Sequence, residues 1–173
     1  MLLASTIGDH VNVNAMTIVP PDTVQQWKAL LELATREVFE MMVGGELKPN
    51  PDDGAGTGIT AVVGLAKQLC GLVTVQCSTD CAGQIASSML GTEISGLDRN
   101  ALDAMGEICN MVAGNFKAKI PGMEDGCVLS VPTLIRGSDY KVRTVGKGMS
   151  LVNHLSFNGL PLHICVNVHQ YLP

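Results

Sequence analysis

Polar and apolar positions sort onto two sides of a helix across residues 99–120, RNALDAMGEICNMVAGNFKAKI. Met105, Ile108, Cys109, Val112, Ala113 and Phe116 collect on one arc, and Asp103, Glu107 and Asn110 fall in a row on the other. At roughly 100° per residue, Glu107 lies about 40° and Asn110 about 20° from Asp103 around the axis, so the three share a face. The segment Asp98 to Asn100 supplies an N-cap after Gly96, and Pro121-Gly122 ends the run. Gly114 continues the polar strip one turn beyond Asn110, and Gly106 lies at its margin. A glycine inside a helix costs on the order of 1 kcal/mol relative to alanine, so two beside a polar row point to a docking face that something large approaches closely.

The rest of the chain follows the same logic. Residues 1–19 alternate weakly in VNVNAMTIV before Pro20-Pro21, and read either as an extra edge strand or as a leader. From Asp22, read as an N-cap, Trp27, Leu30, Leu31, Ala34, Val38, Met41 and Met42 recur at helical spacing until Gly44-Gly45. The stretch GELKPNPDDGAGTG is turn-rich; no Gly-Lys-Ser/Thr follows its glycines, so it reads as a turn rather than a phosphate loop. ITAVVGLA and LCGLVTVQC, joined by Lys67-Gln68, predict a hairpin or adjacent strands. TDCAGQIASSML predicts a short helix capped by Thr79 or Asp80 and stopped by Gly91. After the polar-strip helix come four β-like runs, CVLSVPTLIRG, YKVRTVG, MSLVNHLSF and LPLHICVNVHQYL. An order of helix, two strands, two helices and then strands argues against βαβ units. It predicts an α/β protein of the α+β type, an antiparallel sheet covered by long helices, as one domain over 20–173. A long helix followed by strands occurs twice, a faint sign of duplication.

Composition narrows the function. The 173 residues suffice for one sizeable core. Eleven basic against sixteen acidic residues leave a net charge of −5 with 3% aromatics and no cationic cluster, which excludes a nucleic-acid partner. Uncharged stretches are broken by glycine, proline or polar residues before the ~20 residues of a membrane span, so no membrane partner is expected. The first basic residue is Lys28, so the cationic start of a secretory signal is missing, and cytoplasmic residence with six reduced cysteines is the expectation.

Other constellations are weaker. His163 and His169 are an even number of positions apart, which puts them on one strand face, but neither they nor His10 and His154 have carboxylates at ligand spacing, so edge-strand or surface roles are favoured. Cys77 and Cys81 lack the two-residue gap of a metal or redox pair, and no histidine lies near them. No Gly-x-Ser-x-Gly frames a serine nucleophile. Nine methionines, Met41, Met42, Met105 and Met111 among them, recur at helical spacing and read as core filling.

Alone, the row is what any solvated amphipathic helix shows. The wider pattern resembles the CheC/CheX family of bacterial chemotaxis phosphatases, and its CheX branch most. The resemblance rests on Asp103-x-x-x-Glu107-x-x-Asn110, the surrounding AMGEICNMVAGNF, and the downstream VPTLIRGSDYKV with Pro132, 22 positions after Asn110. It implies a phosphatase acting on the aspartyl phosphate of a CheY-like response regulator. Asn110 would enter the regulator's pocket to orient the attacking water, Glu107 would pair with its lysine, and Asp103 and Gly114 would lie on the partner-binding face. Asp103 either contacts the partner or favours the helix's N-terminal half through the macrodipole. The resemblance also implies no cofactor or metal of the chain's own, Mg2+ in the partner's receiver domain, and a homodimer formed by extending the sheet. Glu40 is followed three positions on by Val43 rather than asparagine, so one active site is expected. The residue types suit the chemistry: a loose phosphoryl transition state needs a positioned water more than a strong base, and an uncharged amide both accepts and donates. The rival reading is a module that binds a receiver without hydrolysing it.

Overall fold

The computed structural model describes residues 21–51, 58–94, 96–138, 140, 142 and 148–171. The readings of residues 1–19 and of most of YKVRTVG lie outside them. The elements run α1 (Pro21–Met42), β1 (Leu47–Pro49), β2 (Ile59–Lys67), β3 (Leu69–Cys77), α2 (Thr79–Leu90), α3 (Arg99–Lys119), α4 (Met123–Gly126), β4 (Cys127–Leu129), β5 (Thr133–Arg136), β6 (Met149–Phe157) and β7 (Leu160–Tyr171). Among the described residues the strands form one seven-stranded antiparallel sheet in the order β1-β6-β7-β3-β2-β4, with β5 also on β2.

Alternation explains the layers. Ile59, Ala61 and Val63 of β2 pair with Cys77, Val75 and Val73 of β3, which in turn face Leu162, Ile164 and Val166 of β7, and all are buried. That side of the sheet carries the helices, α1 against β6, α3 against β2 and β3, and α2 against β7. Trp27 of α1 meets Phe116 of α3 edge-on at 6.2 Å, and Phe39 meets Phe157 of β6 at 5.8 Å, so aromatic contacts fix α1 to both neighbours.

Several local expectations need correction. Helix α1 already includes Pro21, whose fixed φ suits a first turn, so Asp22 lies inside the helix and not at its cap. The turn-rich loop contains a strand, β1, whose Leu47 and Pro49 pair with Phe157 and Leu155. The cap of α2 is Ser78, which accepts from the Cys81 amide at 3.2 Å, not Thr79 or Asp80. The run CVLSVPTLIRG is two strands. Leu129 pairs with Leu65 and Thr133 with Val62, so Ser130, Val131 and Pro132 stand against only Gly64 and Val63. Three residues opposite two must bow outward, and Pro132 has no N–H to keep the ladder. Ser130 pins the bow, donating its amide to the Gly64 carbonyl at 2.9 Å and accepting the Gly64 amide on Oγ at 2.8 Å.

Candidate functional site

Helix α3 begins where Asp98 Oδ1 accepts the Ala101 amide at 2.8 Å. Its buried arc holds Met105, Ile108, Cys109, Val112 and Phe116, so the opposite row has to face outward. Asp103 and Glu107 are exposed and Asn110 is half-buried. Arg99 lies 3.7 Å from Asp103, a pair whose exposure makes it worth little. Among the described residues neither Glu107 nor Asn110 engages its side chain in a hydrogen bond or ion pair. A carboxylate and a carboxamide one turn apart are therefore both unoccupied and open to a visitor.

Two banks flank the row. On one side the bowed Ser130–Pro132 segment leans over Gly106, where a Cβ would stand 3.5 Å from Pro132 and Leu134; at Gly114 it would stand 3.8 Å from Leu129. Gly106 is buried, so the close approach read into the glycines is made there by the protein's own segment, and only half-buried Gly114 borders the outward row. Val131, at the crest of the bow, is 82% exposed. On the other side a cleft of about 560 Å³ separates α3 from α1, lined by Glu37, Val38, Glu40, Met41, Met111 and Asn115. Met41 is 71% exposed, Met42 is exposed and Met111 half-buried, so of the four methionines assigned to the core only Met105 sits fully inside it. Helical spacing placed these side chains on the correct helices but could not show that a cleft opens between the two helices.

Beneath the cleft the two helices are tied together. Asn115 Nδ2 donates to Glu37 Oε2 at 2.8 Å and to the Ala34 carbonyl at 3.2 Å, and Lys119 Nζ lies 2.7 Å from the same Glu37 oxygen. The Lys119 hydrogen bond, then that of Asn115, hold the Glu37 carboxyl below the ordinary carboxylate range. Lys117 Nζ reaches the carbonyls of Glu124 and Cys127 at 2.6 and 2.7 Å, anchoring the C-terminal end of α3 to β4.

The histidines that meet are not His163 and His169. His154 and His163 face each other across β6 and β7, with Nδ1 and Nε2 3.3 Å apart, on the sheet side away from the helices. The signal was present in Asn158-Gly159, a two-residue hairpin turn with both φ positive, because counting outward from it sets His154 opposite His163. Among the described residues no three His, Cys, Asp or Glu side chains converge as metal ligands. Cys77 and Cys81 are both fully buried, and hydrogen bonding to Cys81 together with burial raises the Cys77 thiol well above its usual range, a protonated and unreactive state.

The candidate site is thus an outward carboxylate–amide row on a long helix packed over an antiparallel sheet. The family described as Chemotaxis phosphatase CheX matches residues 59–155, which include the whole row, and the chain belongs to that family. A curated relative, the CheY-P phosphatase CheX of Thermotoga maritima, is 29% identical over 110 residues, covering 62% of this chain and 71% of that protein. The fold is similar to that of the chemotaxis protein CheX from Vibrio vulnificus, with a TM-score of 0.72 and 22% identity over 83% of this chain and 96% of the other. It is also similar to a chain of the CheX-CheY-BeF3-Mg2+ complex from Borrelia burgdorferi, with a TM-score of 0.70 and 20% identity over 83% and 98%. No described helix is long and apolar enough to cross a membrane.

Proposed function

We propose that this protein hydrolyses the aspartyl phosphate of a CheY-like response regulator by inserting Asn110 beside the phosphoryl group while Glu107 grips the regulator's lysine. The observation that carries the reading is that these two side chains stand outward on one helix face with no partner among the described residues. Membership in a phosphatase family and a relative bearing the name CheY-P phosphatase support it.

The mechanism follows from the groups present. Asn110 accepts a hydrogen bond from a water on its amide oxygen and donates from its nitrogen, holding the water in line with the phosphorus at no electrostatic cost beside an anion. Glu107, one turn earlier, makes a charge-assisted bond to a cationic side chain, which sets the depth and angle of the amide. Asp103 and Gly114 extend the docking row, with Val131 and Met41 as apolar contacts on either bank. The Mg2+ in this scheme is the receiver's, and the reaction is cytoplasmic because its substrate is. A homodimer would form at the open edge of β6, where β1 covers only Leu155–Phe157.

The test mixes the chain with a phosphorylated receiver and follows loss of the phosphoryl group. Acceleration over spontaneous decay, first order in receiver and catalytic in this chain, is expected. Unchanged or slowed decay with tight binding would establish the sequestering module instead.

A further inference from the structure

Asn158-Gly159 joins β6 to β7 as a two-residue turn, so Phe157 and Leu160 are the first facing pair and His154 and His163 the fourth. Counted outward from such a turn, the first and third pairs exchange backbone hydrogen bonds and the second and fourth do not. His154 and His163 therefore occupy a non-hydrogen-bonded position, where the two Cα atoms approach to about 4.5 Å and the side chains leave one face side by side. The backbone agrees, since the His154 carbonyl turns to the far side of its strand and accepts the Asn50 amide at 2.9 Å. That bond and the pairing with β1 close the β6 edge from His154 to Phe157. The two rings thus stand within the sheet, on the side away from the helices, and apart from the open edge at Met149–Asn153.

Both rings are half-buried, their planes cross at 84°, and Nδ1 of His154 lies 3.3 Å from Nε2 of His163. One proton between the two nitrogens makes this a hydrogen bond on the long side. Two bonds of about 2.0–2.1 Å meeting at a tetrahedral metal would set their nitrogens about 3.3–3.4 Å apart. The separation therefore suits a cation between two lone pairs at least as well as a shared proton. Among the described residues no Asp, Glu or Cys joins the pair as a third ligand, so a hard cation that needs carboxylate oxygen finds none. Lys48, level with Ser156 and so on the same face, has its charge engaged by Glu46 at 2.6 Å. What the face offers is imidazole nitrogen alone, the donor that late first-row metals prefer.

We propose that His154 and His163 form a two-histidine site for a divalent late transition metal, Zn2+ above all, with water completing the coordination. Zn2+ fits best because it imposes no geometry of its own and accepts a tetrahedron. The ring that donates the shared proton takes up its other tautomer, moving that proton to its remote nitrogen, so both facing nitrogens present lone pairs and no net charge is lost. The bound metal clamps β6 to β7. The site lies across the sheet from α3 and is independent of the Glu107–Asn110 row. Mg2+, which demands six oxygen ligands, is excluded from it, so this cation and a receiver's Mg2+ do not compete.

The experiment titrates the full chain, 15N-labelled at its histidines, with Zn2+ and separately with Mg2+, following the ring nitrogens by NMR and the affinity by competition with a coloured zinc chelator. Saturable movement of the His154 and His163 ring nitrogens at one Zn2+ per chain, with none for Mg2+, is expected. This arm uses the wild type and depends on no variant folding. His154→Gln and His163→Gln should each weaken Zn2+ binding by roughly tenfold or more, while His169→Gln, further along β7, leaves it unchanged. No saturable movement, or movement confined to the other histidines, overturns the proposal. Affinity that survives both glutamine variants but falls in Cys165→Ser overturns it in favour of a thiolate site. Half a Zn2+ per chain with a change in oligomeric state overturns it in favour of a metal bridging two copies, and an equal response to Mg2+ would show that charge alone is read and would also overturn it.

Discussion

Asn115 of α3 and Glu37 of α1 share a 2.8 Å hydrogen bond, and Lys119 closes on the same carboxylate oxygen at 2.7 Å. This triad holds the helix that carries Glu107 and Asn110 against its neighbour. Because Lys119 and Asn115 favour the charged form, the folded pKa of Glu37 lies below its ordinary value of 4.5. The stabilisation is therefore fully present above 4.5 and is lost as pH falls through the lower folded value. Thermal melts of the wild type and Glu37→Gln should differ at pH 7 and converge as the pH falls well below the ordinary carboxylate value. A gap that stays constant across that window would show that the carboxylate's charge is not what joins the helices.

Gly106 sits where the bowed Ser130–Pro132 segment crosses α3. An alanine Cβ there would meet Pro132 and Leu134 at 3.5 Å, an ordinary contact. Gly106→Ala should therefore keep or raise stability, by up to about 1 kcal/mol from helix propensity. Gly106→Leu must push Pro132 aside and should cost about 1–3 kcal/mol. It should also slow receiver dephosphorylation, because one bank of the docking row moves with Pro132. Urea denaturation of the two variants checks the stabilities, and a phosphoryl-decay assay checks the bank.

Helix α3 was legible because three independent signals agree, the Asp98 cap, the apolar arc and the Pro121 stop, and none depends on the rest of the chain. The antiparallel α+β class followed from element order. What the sequence hid depends on distant partners. Strand β1 is three residues ending in Pro49, and only its pairing with β6 makes it a strand. Ser78, Thr79 and Asp80 can all cap a helix, and the choice among them is set by where β3 ends. The bow at Ser130–Pro132 is a mismatch in count against β2, invisible until both registers are known. Met41 reads as core by periodicity, yet it lines the open cleft between α1 and α3 and is 71% exposed. The α1–α3 triad was missed for the same reason, since nothing local joins Glu37 to Asn115.

Burial pushes the Cys109 thiol up to about 12 from its usual 9.0. Unfolding releases it to ionise near the lower value, so between pH 9 and about 12 the unfolded state holds fewer protons than the folded one. Stability then falls as pH rises, by about 1.4 kcal/mol per pH unit for this group. Cys109→Ala costs stability at pH 7 through the space it leaves, but its alkaline decline should be shallower. Denaturation midpoints from pH 8 to 11 measure this, and parallel slopes for the two proteins would refute it.

The proposed division of labour between Asn110 and Glu107 makes separable predictions. Both side chains point away from the core, so alanine at either position should change folding stability by no more than about 0.5 kcal/mol. Asn110→Ala removes the group that orients water and should lower the saturated rate about 100-fold or more with little change in receiver affinity. Asn110→Asp keeps the shape but sets a negative charge beside the phosphoryl group, and should recover none of the rate. Glu107→Ala removes a charge-assisted contact worth about 1.5–3 kcal/mol, so its defect should appear as roughly 10- to 100-fold weaker binding, largely overcome at high protein concentration. Steady-state phosphoryl loss measured over a range of receiver concentrations distinguishes the two. If Glu107→Ala lost rate at full affinity while Asn110→Ala lost affinity at full rate, the amide would be the grip and the carboxylate the group facing the water.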